Sequence, residues 1–209
     1  AEAGGLWRPD RFAPPRYEGE LFNGVNYRMS ELEAAGDVVQ LAKLDAIVGR
    51  FHTVKMRILQ QLKSFKEITP QQLNDVAGEI GYLLRFFPAS YALGEQIVAA
   101  LNAEGIRCGM RGEKPRPDWH IYADMYPITL KTGTMTDDRP FDLPIYQERD
   151  GHAEYHKGQC PVADDLYNRN ISIGLNQWYA PEDCDMIAAG INKVLSAYCT
   201  EDANATPWL

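Results

Sequence analysis

A helical repeat of apolar residues runs from Glu31 to about Ser64, and it limits what this chain can become. Leu32, Ala35, Val39, Leu44, Ile47, Val48 and Phe51 recur at near-helical spacings, and Val54, Ile58, Leu59 and Leu62 continue them. Ser30 stands at the start as an N-cap candidate, and Glu33, three residues on, completes a capping box. Gly36 and Gly49 are the weak points of the run, where a kink or a close helix approach is expected. The run is long for a globular helix, so it is expected to connect two bodies or line an interface.

Downstream, Glu79 to Phe87 (E-I-G-Y-L-L-R-F-F) reads as a buried strand that Pro88 ends. Ser90 caps a second helix, Tyr91 to Glu104, with Leu93, Ile97, Val98 and Leu101 inward and Gly105 as its stop. Ile106 to Met110 and Asn170 to Leu175 read as strands. Pro181, followed by Glu182 and Asp183, opens a last helix to about Tyr198. Its expected inner face is Met186, Ile187, Ile191, Val194 and Leu195. Residues 129 to 159 form a long polar insertion, and the tail from Cys199 is expected to fray. This order predicts an α+β domain: a small, mainly antiparallel sheet covered by helices and preceded by a long linking helix. The expected division is 1–29 loop, 30–64 linking helix and 65–209 small domain.

The chain has 209 residues and a net charge of -8, enough for one good-sized core or a domain with an extension. An acidic chain lacks the clustered Lys and Arg that nucleic acid requires. No stretch approaches the ~20 apolar residues of a membrane span, and no signal peptide is visible. The four cysteines form no C-x-x-C pair and read as free thiols in a reducing cytoplasm. The first residue is Ala rather than Met, which predicts a processed chain or one cut from something longer.

Candidate chemistry clusters just before the first cap, at Asn23, Asn26, Tyr27 and Arg28. A helix N-terminus attracts anions, and an amide, a phenol and a guanidinium beside it suit a phosphate or carboxylate. An ordinary cap preceded by a polar loop fits the same residues. His152 and His156 have the spacing of metal ligands on a helix, but Gly151 and Gly158 bracket them and no third ligand is evident. No metal site is assigned. His120, between Trp119 and Tyr122, suits a packed histidine or a reactive one.

The segment G-V-N-Y-R-M-S-E-L-E-A-A, from Gly24 to Ala35, resembles the G-x-N-x-R-M-x-E-x-x-A-A segment of the DegT/DnrJ/StrS-type sugar aminotransferases. Those are enzymes of the aspartate-aminotransferase fold that use pyridoxal phosphate (PLP). A second segment, Cys160-Pro161-Val162-Ala163-Asp164-Asp165-Leu166, with Pro181-Glu182-Asp183 after it, resembles that family's C-terminal pattern in the same order.

The resemblance implies the small C-terminal domain of such an enzyme, with the linking helix before it. The family's Schiff-base lysine and pyridine-binding carboxylate lie upstream of the first matched segment. Lys43 is the first lysine here and follows that segment, so no catalytic residue is assigned to this chain. The resemblance makes Asn26 a ligand of the PLP phosphate across a homodimer interface. Tyr27 and Arg28 would share that site, and His120 and Tyr122 would face the substrate. The complete enzyme, with an N-terminal large domain, would move an amino group from an amino-acid donor to a keto-sugar, often nucleotide-linked. The alternative is a non-catalytic small domain that binds a protein or a sugar.

Overall fold

The computed structural model describes residues 29–112, 120–131, 141–149 and 154–209. The chain divides into two compact units, 1–47 and 48–209.

In the first unit, helix α1 (Glu31–Leu41) starts at Ser30, whose extended backbone (φ −72°, ψ 152°) turns into the helix. None of its residues is buried, and Leu32, Val38 and Leu41 are 85%, 70% and 69% exposed. The single helix expected over 30–64 is two. The Lys43 amide closes back onto the Gln40 carbonyl (3.0 Å), a three-residue turn, before Ile47 returns to the Lys43 carbonyl. Helix α2 (Leu44–Leu59) follows that break. Gly36 and Gly49, the expected weak points, both lie inside the helices.

In the second unit, Val54, Lys55, Ile58 and Leu59 of α2 are buried, a stripe of helical period. The sheet has the order β1-β2-β4-β3 and all its pairings are antiparallel: β1 (Ile68–Pro70), β2 (Leu83–Pro88), β3 (Cys108–Met110) and β4 (Ile171–Gly174). Leu84 faces Ile173 and Phe86 faces Ile171, and all four side chains are buried. Pro70 is tolerated because β1 is an edge strand. Strand β2 begins four residues later than its apolar run suggested. Gly81 takes a left-handed φ of +92°, and a Cβ there would stand 2.6 Å from the Phe51 carbonyl oxygen, so the chain turns sharply against α2. Leu83, Arg85 and Phe87 are only half-buried, the alternation of a sheet with one face on the core.

Helix α3 (Tyr91–Ala103) starts where predicted and ends one residue before the predicted Glu104, which is its C-cap. Ser90 Oγ accepts from the Leu93 amide at 3.2 Å, and Gly105 has φ +84° just past the last turn. A 3₁₀ turn (Tyr122–Asp124) and the short helices α4 (Tyr126–Thr129), α5 (Pro144–Glu148) and α6 (Pro161–Arg169) precede β4. Helix α7 (Pro181–Tyr198) opens with the Asp183 carboxylate accepting from the Ala180 amide at 2.8 Å. Its buried face is Cys184, Ala188, Ile191, Val194 and Leu195; Met186, expected inside, is 66% exposed. Ile191, Val194 and Leu195 are inward as expected, Ile187 packs partly buried against the core, and Cys184 and Ala188 complete the buried face.

Ile58, Phe65, Leu84, Phe86, Ile97, Leu101, Ile171, Ile191 and Leu195 are at most 1% exposed and form the centre of the core. Each such side chain contributes about 1.5–3 kcal/mol through burial. On the surface, Arg57 of α2 and Asp185 of α7 form a two-pronged ion pair (2.8 and 2.7 Å), with Gln61 donating to the same carboxylate.

The tail does not fray. Phe65 bridges to Glu201, the Lys66 amide donates to the Thr200 carbonyl, and the Asp202 amide donates to that of Ser64. Glu67 accepts from both the amide and the hydroxyl of Thr200. Trp208 is buried at 6% exposure. The polar composition that suggested fraying supplies the hydrogen bonds that hold the segment down.

Candidate functional site

The first part of the candidate site is the cap of α1. The Glu33 amide donates to Ser30 Oγ at 3.2 Å, and the Ser30 amide and hydroxyl both donate to Glu33 Oε2, at 2.9 and 2.8 Å. These bonds hold the Glu33 carboxyl below its ordinary range, the Ser30 amide contributing most. A carboxylate therefore already sits at the positive end of α1. A second anion near this end would have to find its donors elsewhere than on the Ser30 amide. Asn26, Tyr27 and Arg28, which the sequence puts just before this cap, lie outside the described residues, as does Asn23.

The second part is built on Tyr122. Ile121 is buried at 7% exposure and anchors the turn. Arg111, at the end of β3, pairs with Asp124 at 2.8 Å. The Tyr122 hydroxyl donates to Asp164 Oδ2 at 2.9 Å and accepts from the amides of Gly158 (3.1 Å) and Cys160 (3.2 Å). The Gly158 amide also donates to Asp164 Oδ2 at 3.0 Å. One phenol and one carboxylate thus fasten the 158–160 turn to the start of α6, and the hydroxyl uses its donor and both lone pairs. Gly158 can serve here because its φ is +100°.

His120 lies on the exposed turn just ahead of this cluster. Residues 154–160 are further closed by the Gln159 side chain donating to the Glu154 carbonyl and by the His156 amide donating to Gln159 Oε1. His152 lies outside the described residues, whereas His156 Nδ1 stands 2.9 Å from the Lys157 carbonyl. Among the described residues no group of three His, Cys, Asp or Glu is placed to hold a metal, and no helix is long and apolar enough to cross a membrane.

Asp164 is the partner that sequence reasoning missed. Its signal was present: Pro161 at the first helical position puts an acidic residue in the first turn of α6. The local pattern could not say that the partner would be Tyr122.

A PLP site requires a lysine in a desolvated pocket, a carboxylate on the pyridinium nitrogen and a phosphate cup. Lys55 is 2% exposed but is held by Glu79 at 2.7 Å and borders only a cavity of about 10 Å³. A groove of about 550 Å³ between the α3–β3 turn and α7 is floored by Ile106, Ile187 and Gly190. Its lysine, Lys193, is paired with Glu104 at 2.7 Å and is well exposed. Neither of these two lysines stands in an arrangement that fits the cofactor.

Comparison with known proteins places these observations. The family model described as DegT/DnrJ/EryC1/StrS aminotransferase family matches residues 10–151. Among solved structures, the chain is similar to the aminotransferase PseC of Helicobacter pylori, involved in the biosynthesis of pseudoaminic acid. The identity is 18% and the TM-score 0.54, over 94% of this chain and 44% of that one. It is similar to DesV of S. venezuelae in complex with a ketimine intermediate, at 16% identity and TM-score 0.54 over 86% and 40%. It is also similar to the aminotransferase TlmJ of Streptoalloteichus hindustanus, at 15% identity and TM-score 0.53 over 79% and 36%. The chain thus spans less than half the length of each of these structures.

Proposed function

Because the chain belongs to the DegT/DnrJ/EryC1/StrS aminotransferase family, whose enzymes are PLP-dependent, we propose that it is the C-terminal portion of a sugar aminotransferase. The complete enzyme transfers an amino group from an amino acid to a keto-sugar, most simply a nucleotide-linked one. PLP supplies the electron sink for that transfer when bound. The observation that carries this reading is the family match across residues 10–151, which includes the N-Y-R-M-S-E-L-E segment running into the capped start of α1.

In this reading Asn26 binds the cofactor phosphate of a neighbouring subunit, and Tyr27 and Arg28 line the same shared site toward the substrate. His120 stands on the substrate side. Tyr122 serves that side as a positioning residue, because its hydroxyl is committed to Asp164, Gly158 and Cys160. The lysine and the pyridine-binding carboxylate come from an N-terminal large domain. The exposed Leu32, Val38 and Leu41 of α1 support an interface, and we assign it to a homodimer. The four cysteines, all free thiols, agree with a cytoplasmic enzyme.

The test compares the isolated chain with the parent that carries the large domain. Both are mixed with PLP, reduced with borohydride and weighed by mass spectrometry. The parent is expected to give one stoichiometric lysine adduct and to aminate a keto-sugar nucleotide; the isolated chain is expected to do neither. A single stoichiometric adduct on one lysine of the isolated chain would overturn the reading. A parent without a PLP-reactive lysine would favour the non-catalytic module instead.

A further inference from the structure

Between α2, the β1–β2 edge and the tail lies a cavity of about 10 Å³, bordered by Lys55, Gln71, Leu73, Leu84, Arg85 and Trp208. Among the described residues, the Arg85 Nε is the one buried side-chain nitrogen or oxygen without a hydrogen-bond partner. Buried N–H groups are ordinarily paired, because leaving one unpaired forfeits its hydration. Lys55 borders the same cavity and is 2% exposed. Its ammonium has three donors, of which Glu79 Oε1 takes one at 2.7 Å.

We propose that this cavity is the site of one structural water, which accepts a hydrogen bond from Arg85 Nε and a second from Lys55 Nζ. The size fits, since a single water requires a cavity of about 10–15 Å³. The chemistry fits as well: a water oxygen has two lone pairs, and both Arg85 and Lys55 border the space. Cavities that stay dry are lined by apolar groups alone, and this one is not. Gln71 offers an amide oxygen for one of the water's own hydrogens. A monoatomic anion is the weaker candidate, because Glu79 already balances the Lys55 charge and the space admits little more than one water. A water held there links α2 to β2, with Trp208 among the residues around it.

A high-resolution crystal structure of the full chain, grown without halide and again soaked in bromide, tests the site. The expected result is a spherical density peak within hydrogen-bonding distance of Arg85 Nε in both crystals, with no bromide anomalous signal. An anomalous peak there would make it an anion site, and an empty cavity would make it no site; either overturns the proposal. In solution, oxygen-17 relaxation dispersion should show one long-lived water lost in Arg85→Met, which keeps the apolar stem and removes the donor. An unchanged count in a folded Arg85→Met chain also overturns it. If that variant does not fold, the two wild-type crystals decide the matter.

Discussion

Trp208 sets its ring edge-on against Phe86, with centroids 5.6 Å apart and planes at 71°, across more than half the length of the chain. The same indole donates its N–H to the Lys63 carbonyl at 2.9 Å. Trp208 is therefore a core residue that packs on β2. Trp208→Ala should cost about 3–5 kcal/mol, the range for emptying a buried tryptophan site. Urea denaturation of the isolated chain measures it, with Leu209→Ala as a control expected to change little because Leu209 is exposed. A loss below about 1 kcal/mol in Trp208→Ala would mean the tail is not part of the folded core.

The same tail gives the domain an acid-sensitive joint. The Thr200 amide and hydroxyl hold the Glu67 carboxyl below its ordinary range, the amide contributing most. The Arg57 side chain does the same for Asp185, and Arg169 for Asp165. A group whose folded pKa is depressed takes up protons first in the unfolded chain. Its contribution is thus fully present above the ordinary carboxylate range and is lost as pH falls through the depressed folded value. Stability should decline on acidification below that range, and Glu67→Gln should flatten part of the decline. Thermal melts of both proteins at stepped pH check this. Parallel curves would remove Glu67 from the account.

Tyr122→Phe removes one hydroxyl that serves three partners. The Gly158 amide keeps its bond to Asp164, while the Cys160 amide loses the acceptor found for it here. The expected global cost is modest, about 0.5–1.5 kcal/mol. The local effect should be sharper: hydrogen exchange at Cys160 should accelerate by roughly tenfold, with the amides of β2 and β4 unchanged. Uniform acceleration across the sheet would mean that Tyr122 supports the whole core rather than the 158–160 turn.

These relationships mark the boundary of what local pattern can carry. Ser30, Ser90, Gly105 and Pro181 act within a turn of themselves, so α1, α3 and α7 were legible to within a residue at those ends. Strand β4 was legible because Ile171 and Ile173 alternate with Ser172 and Gly174. The break at Ala42–Lys43 carries no glycine or proline and left no mark in the composition. Tyr122 and Asp164 are 42 residues apart, and Lys63 and Trp208 are 145 apart. Only the folded sheet brings such pairs together. On α7 the apolar pattern reaches Ile191, Val194 and Leu195, whereas the small Cys184 and Ala188 carry little apolar signal yet are buried, and Met186 carries one yet is exposed.

Asn26 is the residue to which the phosphate contact is assigned. Ser30 follows it by four residues, and the Ser30 amide is already taken by Glu33 at 2.9 Å. A phosphate near this end of α1 would meet a partly neutralised helix terminus, so a neutral side-chain donor matters more than it would at an open cap. An amide supplies that donor without adding charge. In the full-length parent, Asn26→Ala should weaken PLP retention by roughly ten- to a hundredfold, the equivalent of one charge-assisted hydrogen bond worth about 1.5–3 kcal/mol. The apo-protein should melt within a degree or two of wild type, as expected for a residue that acts on a ligand rather than on the fold. Spectrophotometric titration of the cofactor and a thermal melt of the apo-protein separate the two effects. If affinity held while the apo-protein melted several degrees lower, Asn26 would be an anchor of the loop before α1, and the phosphate contact would have to be assigned to another residue.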